Sequence, residues 1–286
     1  MRPTFIGIGA QKSASSWLYE MLRGHPEVAV SDTKELNFFS YCFENGFRWY
    51  EGQFVARPGV VQAGEVSPSY LHEPGVVARA KSYAPDLRVL VSLRDPVERA
   101  LSQHRHMVRE GLIPPDDLSF ETALDTNPTY VEQGLYAGHL SRWVAAFGRD
   151  RLHAVLMEDI KQDSAAVVRR LYEFLDITPT FVPGELNEPR NQSYVIRNSA
   201  VHSAVTSARL ALSHVAGDRA WKSLGNMGLR RIYHGFNRAE SSAVIPPPRP
   251  ETLERLRQRF RPDVEALEEL LDRDLGAWCG RTVAVG

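Results

Sequence analysis

The segment Thr4 to Leu22, TFIGIGAQKSASSWLYEML, limits the fold more than any other stretch of this chain. A short apolar run leads into Gly7, Gly9 and Lys12, and serines then open a helical pattern. A buried strand that feeds a small-residue loop and a helix N-terminus gathers backbone N–H donors at one point. With one lysine charge added, the combination suits a phosphate group. On this segment alone, a serine-rich helix cap beside a solvated lysine explains the pattern equally well. The chain has only five lysines, so one inside a glycine loop is less expected by chance.

The spacing excludes the commonest phosphate loops. A Walker A loop ending on Lys12 and Ser13 would need glycine at Gln11 and at Ile6, and both positions fail. A dinucleotide fingerprint fails as well, because Lys12 stands where the third glycine of G-x-G-x-x-G belongs. The loop resembles a phosphate cradle of another type.

Further along, Val28 to Val30, Val60 to Val66, Arg88 to Leu93 and Leu152 to Met157 read as strands. Helical patterns at Gly75 to Tyr83, Val97 to Glu110, Gly138 to Phe147 and Ser164 to Leu175 separate them. Such alternation predicts an α/β fold with a mostly parallel sheet covered on both faces. At 286 residues and 43% hydrophobic content, one domain spanning 1–286 is expected, with 195–245 as a helical cap over an acceptor site. In Arg94-Asp95-Pro96-Val97-Glu98, Asp95 is suited to cap a helix, Pro96 to begin it and Glu98 to close a capping box. Arg94 then falls at the carboxyl edge of the sheet, where open α/β folds bind ligands. The proline run before Glu251 marks a break, and Glu251 to Trp278 reads as one or two closing amphipathic helices.

A formal net charge of -1 argues against a dedicated nucleic-acid binder and for a small partner. Cys42 and Cys279 match no metal or disulfide spacing, so reduced thiols and no metal are expected. The first strand begins almost at Met1, without a basic or cleavable leader and without an apolar stretch that would span a bilayer, which suggests a cytoplasmic protein.

Five ordered segments carry a family resemblance. KSASSWL resembles the loop that holds the 5′-phosphosulfate end of 3′-phosphoadenosine-5′-phosphosulfate (PAPS) in sulfotransferases. SLRDPVERALSQH, with Arg94 and Ser102 eight residues apart, is similar to the 3′-phosphate motif of that family. KELNFFS, GEVSPSYL and GLYAGHLSRWVAAFGRDRLHAVLMEDI resemble further segments of its heparan sulfate and bacterial carbohydrate or metabolite branch. The likeness runs from Thr4 to about Leu175 and resumes over Glu251 to Trp278.

The resemblance implies a PAPS-dependent sulfotransferase with a P-loop-like fold, releasing PAP and needing no metal. It assigns Lys12, Ser13, Ala14, Ser15, Ser16 and Trp17 to the 5′ end of the donor, with Lys12 stabilising the leaving oxygen. Arg94 and Ser102 take the 3′-phosphate, with Tyr136 and Arg190 beside the nucleotide, although Tyr136 reads equally as a core residue with a wet hydroxyl and Arg190 as a surface arginine. Glu35 matches the glutamate that removes the proton of the acceptor, whereas its residues taken alone read as an exposed Lys34-Glu35 pair in a loop. Glu65 is a second candidate base, or else fixes the adjoining turn, and His104 and His106 are expected at the surface or in support. Two departures stand out: Val66 replaces a lysine common in the heparan sulfate enzymes, and Asn37 replaces a histidine found in some. Both point away from a sulfated polysaccharide and toward a small-molecule or oligosaccharide hydroxyl, with an amine as the lesser alternative. Two other readings remain open at this point: a P-loop kinase or nucleoside-triphosphatase, and a catalytically silent nucleotide-binding protein.

Overall fold

The computed structural model describes residues 1–184, 186 and 245–281, together with the backbone of 194–196 and 238–240. Strands β1 (Phe5–Gly7), β2 (Val28–Val30), β3 (Gln62–Val66), β4 (Arg88–Leu93) and β5 (Leu152–Leu156) form a five-stranded sheet in the order β2-β3-β1-β4-β5. Every pairing in it is parallel. Among the described residues the helices are α1 (Ser15–Gly24), α2 (Gly46–Glu51), α3 (Val76–Tyr83), α4 (Pro96–Arg109), α5 (Phe120–Thr126), α6 (Thr129–Glu132), α7 (Tyr136–Phe147), α8 (Met157–Phe174) and α9 (Pro250–Leu271). The α/β architecture expected from the alternating pattern is present.

The central strands are apolar without alternation because helices cover both faces of a parallel sheet. Phe5, Val66, Leu90 and Val155 meet Leu18, Met21 and Leu22 of α1 and Val167, Val168, Leu171 and Tyr172 of α8 in one buried cluster. Helix α8 starts seven residues ahead of the expected Ser164, and Asp163 breaks its backbone (φ -153°, ψ 85°). Asp163 Oδ1 accepts the Ala166 N–H, so a new cap begins where the sequence pattern begins. At the far end of the chain, Asp263 of α9 caps α7 by accepting the N–H groups of Ala137 and Gly138 at 3.0 and 3.3 Å.

The chain clusters into two compact units, one of residues 1–100, 129–190 and 253–286, the other of 101–128 and 191–252. The first holds the whole parallel sheet. Within the second, Ser119 caps α5 and His104 is bonded through Nε2 to the Leu118 carbonyl. An antiparallel pair of short strands, β6 (Tyr194–Ile196) and β7 (Arg238–Glu240), belongs to it too. Apart from those two strands, the segment expected to form a cap at 195–245 lies outside the described residues.

Candidate active site

The strand order fixes where a ligand can sit. From β1 the chain leaves toward β2, and from β4 it leaves toward β5, so the crevice outside the carboxyl ends of β1 and β4 is a topological switch point. Lys12 lies in the loop after β1 and Arg94 directly follows β4, so both flank that crevice. Glu35 lies in the loop after β2, on the same edge of the sheet.

The loop after β1 is gripped through its backbone. Ile8 N–H bonds Leu90 O, Ala10 N–H bonds Ser92 O, and Ser92 N–H returns to Gly9 O at 2.6 Å. On the other side, Ser67 N–H bonds Gly7 O and Leu71 N–H bonds Ile8 O. Gly9 has φ 139°, and a Cβ there would stand 2.8 Å from the Pro68 carbonyl oxygen, so only glycine fits. Lys12 and Ala14 adopt left-handed φ values of 65° and 68°, a conformation that costs an L-residue roughly 1–2 kcal/mol and that collects at ligand clamps.

Helix α1 has Ala14 at its N-cap, no side-chain cap and no acidic residue in its first turn. The serine-rich cap that the segment also allowed is therefore not formed. The free first-turn N–H groups and the positive end of the helix dipole suit an external anion instead. Ser13 and Trp17 turn their side chains inward, with the Trp17 indole donating to the Leu186 carbonyl. What these two can offer an anion is the backbone N–H. Ser15 is also buried, and Ser16 is partly exposed.

Asp95 is spent on its helix: Oδ1 accepts the N–H groups of Val97 and Glu98 at 2.8 and 3.2 Å. Glu98 does not close a capping box but accepts from the Arg94 guanidinium at 2.8 Å. Tyr136 is fully buried and its hydroxyl donates to the Arg94 carbonyl. Burial pushes that phenol up to about 12, so it remains a donor and steadies the Arg94 backbone. Tyr136, expected beside the nucleotide, is a core residue whose hydroxyl is used on the Arg94 backbone. Ser102 is partly buried on α4 in the second unit, and Arg190 lies outside the described residues. His104, expected at the surface or in support, is buried with 1% of its area exposed, whereas His106 is partly exposed.

Glu35 is exposed and pairs with Lys34. It has φ 63°, and Asn37 follows at φ 51°. Glu65, the alternative base, is fully buried. Its carboxylate accepts the Leu36 N–H at 3.1 Å and the hydroxyls of Ser67 and Tyr70. Burial holds its carboxyl above the usual carboxylate range, and these donors offset only part of that rise. No face of Glu65 is open to an acceptor, so of the two roles the sequence allowed, fixing the turn is the one realised. Val66 packs into the core, its methyl carbons about 3 Å from where a Gly7 Cβ would lie. A lysine in the same side-chain direction would enter that core rather than the crevice.

The roles of the Ser67, Ser69 and Tyr70 hydroxyls are not evident from GEVSPSYL alone. The only available signal was its density of hydroxyl residues after a strand. Among the described residues no group of three or more histidine, cysteine, aspartate or glutamate side chains is placed to hold a metal.

An uncapped helix start, a left-handed lysine loop and an arginine after the neighbouring strand meet at the switch point of a parallel α/β sheet, an arrangement chemically suited to an anionic ligand. A sulfotransferase domain model matches residues 2–203, and the chain belongs to that family. Over 180 residues it is 31% identical to mouse heparan sulfate glucosamine 3-O-sulfotransferase 6, covering 61% of this chain and 52% of that protein. It is also 27% identical over 204 residues to mouse bifunctional heparan sulfate N-deacetylase/N-sulfotransferase 4, covering 63% of this chain and 23% of that protein. The chain thus spans about half the length, or less, of these curated relatives. A sulfotransferase structure from Alicyclobacillus acidocaldarius superposes with a TM-score of 0.70 at 26% identity, covering 97% of this chain and 99% of that one.

Proposed function

We propose that this chain is a PAPS-dependent sulfotransferase acting on a hydroxyl of a small-molecule metabolite or an oligosaccharide. The observation that carries the proposal is the pairing, across one switch point, of the uncapped α1 N-terminus and Lys12 with Arg94. A donor with anionic groups at both ends fits that pairing, and family membership supports it. When bound, PAPS supplies the sulfuryl group and leaves as PAP.

The residues divide the work. Backbone N–H groups of the α1 start, with Ser15 and Ser16, hold the 5′-phosphate, and Lys12 neutralises charge developing on the oxygen that leaves sulfur. Arg94 takes the 3′-phosphate in its planar fork, with Ser102 as a further donor and Arg190 a candidate contact. Glu35 removes the acceptor proton as the acceptor oxygen attacks. No divalent metal is needed in this scheme, because lysine, arginine and helix N–H groups carry the compensating charge. The proposal includes a single sulfotransferase domain with an acceptor cap in 195–245. It also places the chain in the cytoplasm, in keeping with two free cysteines.

Two measurements test it. PAP should raise the melting temperature and ATP with Mg²⁺ should not; stabilisation by ATP alone would point to the kinase reading, which Asp95 already disfavours by serving as a cap. A panel of hydroxyl and amine acceptors with labelled PAPS should then yield a sulfate ester. PAP binding without transfer to any member would favour the silent nucleotide-binding protein, the reading that Val66 supports.

A further inference from the structure

We infer that Glu65 is a positioning residue: through a relay of hydroxyls it sets the loop that carries Glu35, without contributing to the donor cradle. This rests on the proposed role of Glu35.

The relay has a defined direction. Asn37 N–H donates to Ser67 Oγ, and Phe39 N–H donates to the Tyr70 hydroxyl. Each hydroxyl therefore has its own proton free to donate, and each gives it to Glu65: Ser67 to Oε2 and Tyr70 to Oε1. Leu36 N–H reaches Oε2 directly. Glu65 accepts from every one of these partners, so a proton on it would displace a donor; the arrangement requires the carboxylate. One buried negative charge thus fixes three backbone N–H groups of the loop, at positions 36, 37 and 39. Ser69 adds a bond to Asn37 Oδ1, and Asn37 Nδ2 closes on the Glu35 carbonyl.

The loop needs such a hold because Glu35 and Asn37 are both left-handed. The same segment hydrogen-bonds the donor loop through main chain, with the Ser67 and Leu71 N–H groups on Gly7 and Ile8 carbonyls, while Val66 and Leu71 pack their apolar side chains against its glycines. Its carboxylate and hydroxyls serve the Glu35 loop, its backbone and apolar side chains the donor loop. Changing the side chains should therefore separate the two halves of the site.

The test uses Glu65→Gln, with Tyr70→Phe and Ser67→Ala as milder variants should the first not fold. Hydrogen exchange is read on peptides covering 34–40 and 5–18, PAP affinity by calorimetry, and transfer rate with whichever acceptor the panel yields. A gained amide N–H in Glu65→Gln faces three donors, so exchange across 34–40 should quicken by about tenfold or more, the worth of a hydrogen bond to a charged group. Exchange across 5–18 and PAP affinity should stay within about twofold, the difference a conserved backbone cradle allows. The maximum transfer rate should fall by about 10²-fold, as a misplaced catalytic group implies. In a Glu35→Gln background the same change should cost nothing further. Unchanged exchange across 34–40, or a parallel loss of PAP affinity, would overturn the inference, as would a full additive loss in the double variant. If wild type transfers to no acceptor, the proposed function fails, while exchange and PAP affinity still decide whether Glu65 sets this loop.

Discussion

The loop after β1 and the loop after β2 open on the same edge of the sheet, yet they are held in opposite ways. The first is tied down by main-chain bonds to Leu90, Ser92, Ser67 and Leu71, and its special residues are glycines and left-handed positions. The second hangs on side chains: Glu65, Ser67 and Tyr70 accept its N–H groups, Ser69 donates to the Asn37 amide oxygen, and Arg79 donates to the Phe39 and Ser40 carbonyls. Beneath it, Phe38 stacks on Tyr50 at 4.2 Å and meets Phe39 edge-on. A backbone-built cradle suits a ligand whose phosphates look alike in every turnover. A side-chain-built loop can be retuned one substitution at a time, which is where change of acceptor would be expected to enter.

The largest effect should come from Glu35 and Lys12, the proposed base and the proposed leaving-group stabiliser, and it should split them. Glu35→Gln is expected to lower transfer by about 10²–10⁴-fold, the usual worth of general base catalysis, and to leave PAP affinity intact. Lys12→Ala should lower transfer by about 10²–10³-fold and weaken PAP binding too, because the lysine sits in the cradle. Steady-state rates alongside PAP calorimetry read both. Loss of PAP binding in the Glu35 variant would erase the contrast between the loops.

Next in size is Gly9→Ala. Its φ of 139° and the 2.8 Å approach to the Pro68 carbonyl leave no room for a methyl, so about 1–3 kcal/mol of strain must be absorbed by the cradle. A lowered melting temperature together with lost PAP binding is the expected pair of readings. A variant that melts lower but binds PAP normally would show that the cradle tolerates distortion, contrary to its backbone design. Arg94→Lys follows: replacing the planar fork by a point charge should cost about 1.5–3 kcal/mol of PAP affinity. The affinity for adenosine 5′-monophosphate should hardly change, since the loss belongs to the 3′-phosphate.

The same contrast explains what was legible in the sequence. Strands β2 and β4 have the bounds read from their apolar runs, and Asp95 caps as expected, because burial and capping are local rules. The strand-loop-helix form of the proposed cradle was legible for a similar reason: glycines and a lysine between an apolar run and a helical pattern carry their meaning in order and spacing. The hold on the base loop was not, because it joins residues 35–40 to 65–70, and nothing in either segment says which hydroxyl will meet which N–H. Glu65 could be read as base or brace until its burial was known. The fate of Glu98 was hidden likewise. Its spacing from Asp95 fits a capping box, but the adjacent arginine offers a stronger, charged partner.

That Arg94–Glu98 pair supplies the smallest and most diagnostic prediction. The guanidinium side chain is 14% exposed and the carboxylate 50%, so the attraction between them is screened by water and worth at most about 1 kcal/mol. A 3′-phosphate arriving at Arg94 must share the fork with this carboxylate and also meet its negative charge. Removing the charge in Glu98→Gln should therefore strengthen PAP binding, by a few-fold at most on the same scale, and the gain should shrink as salt is raised through about 0.15 M. Melting temperature should stay nearly level, because Asp95 still holds the first turn of α4. The opposite sign, weaker PAP binding in Glu98→Gln, would mean that Glu98 aims the arginine. The donor side would then depend on a side-chain brace just as the base loop depends on Glu65, and the division between a backbone-built half and a side-chain-built half would stop at Arg94.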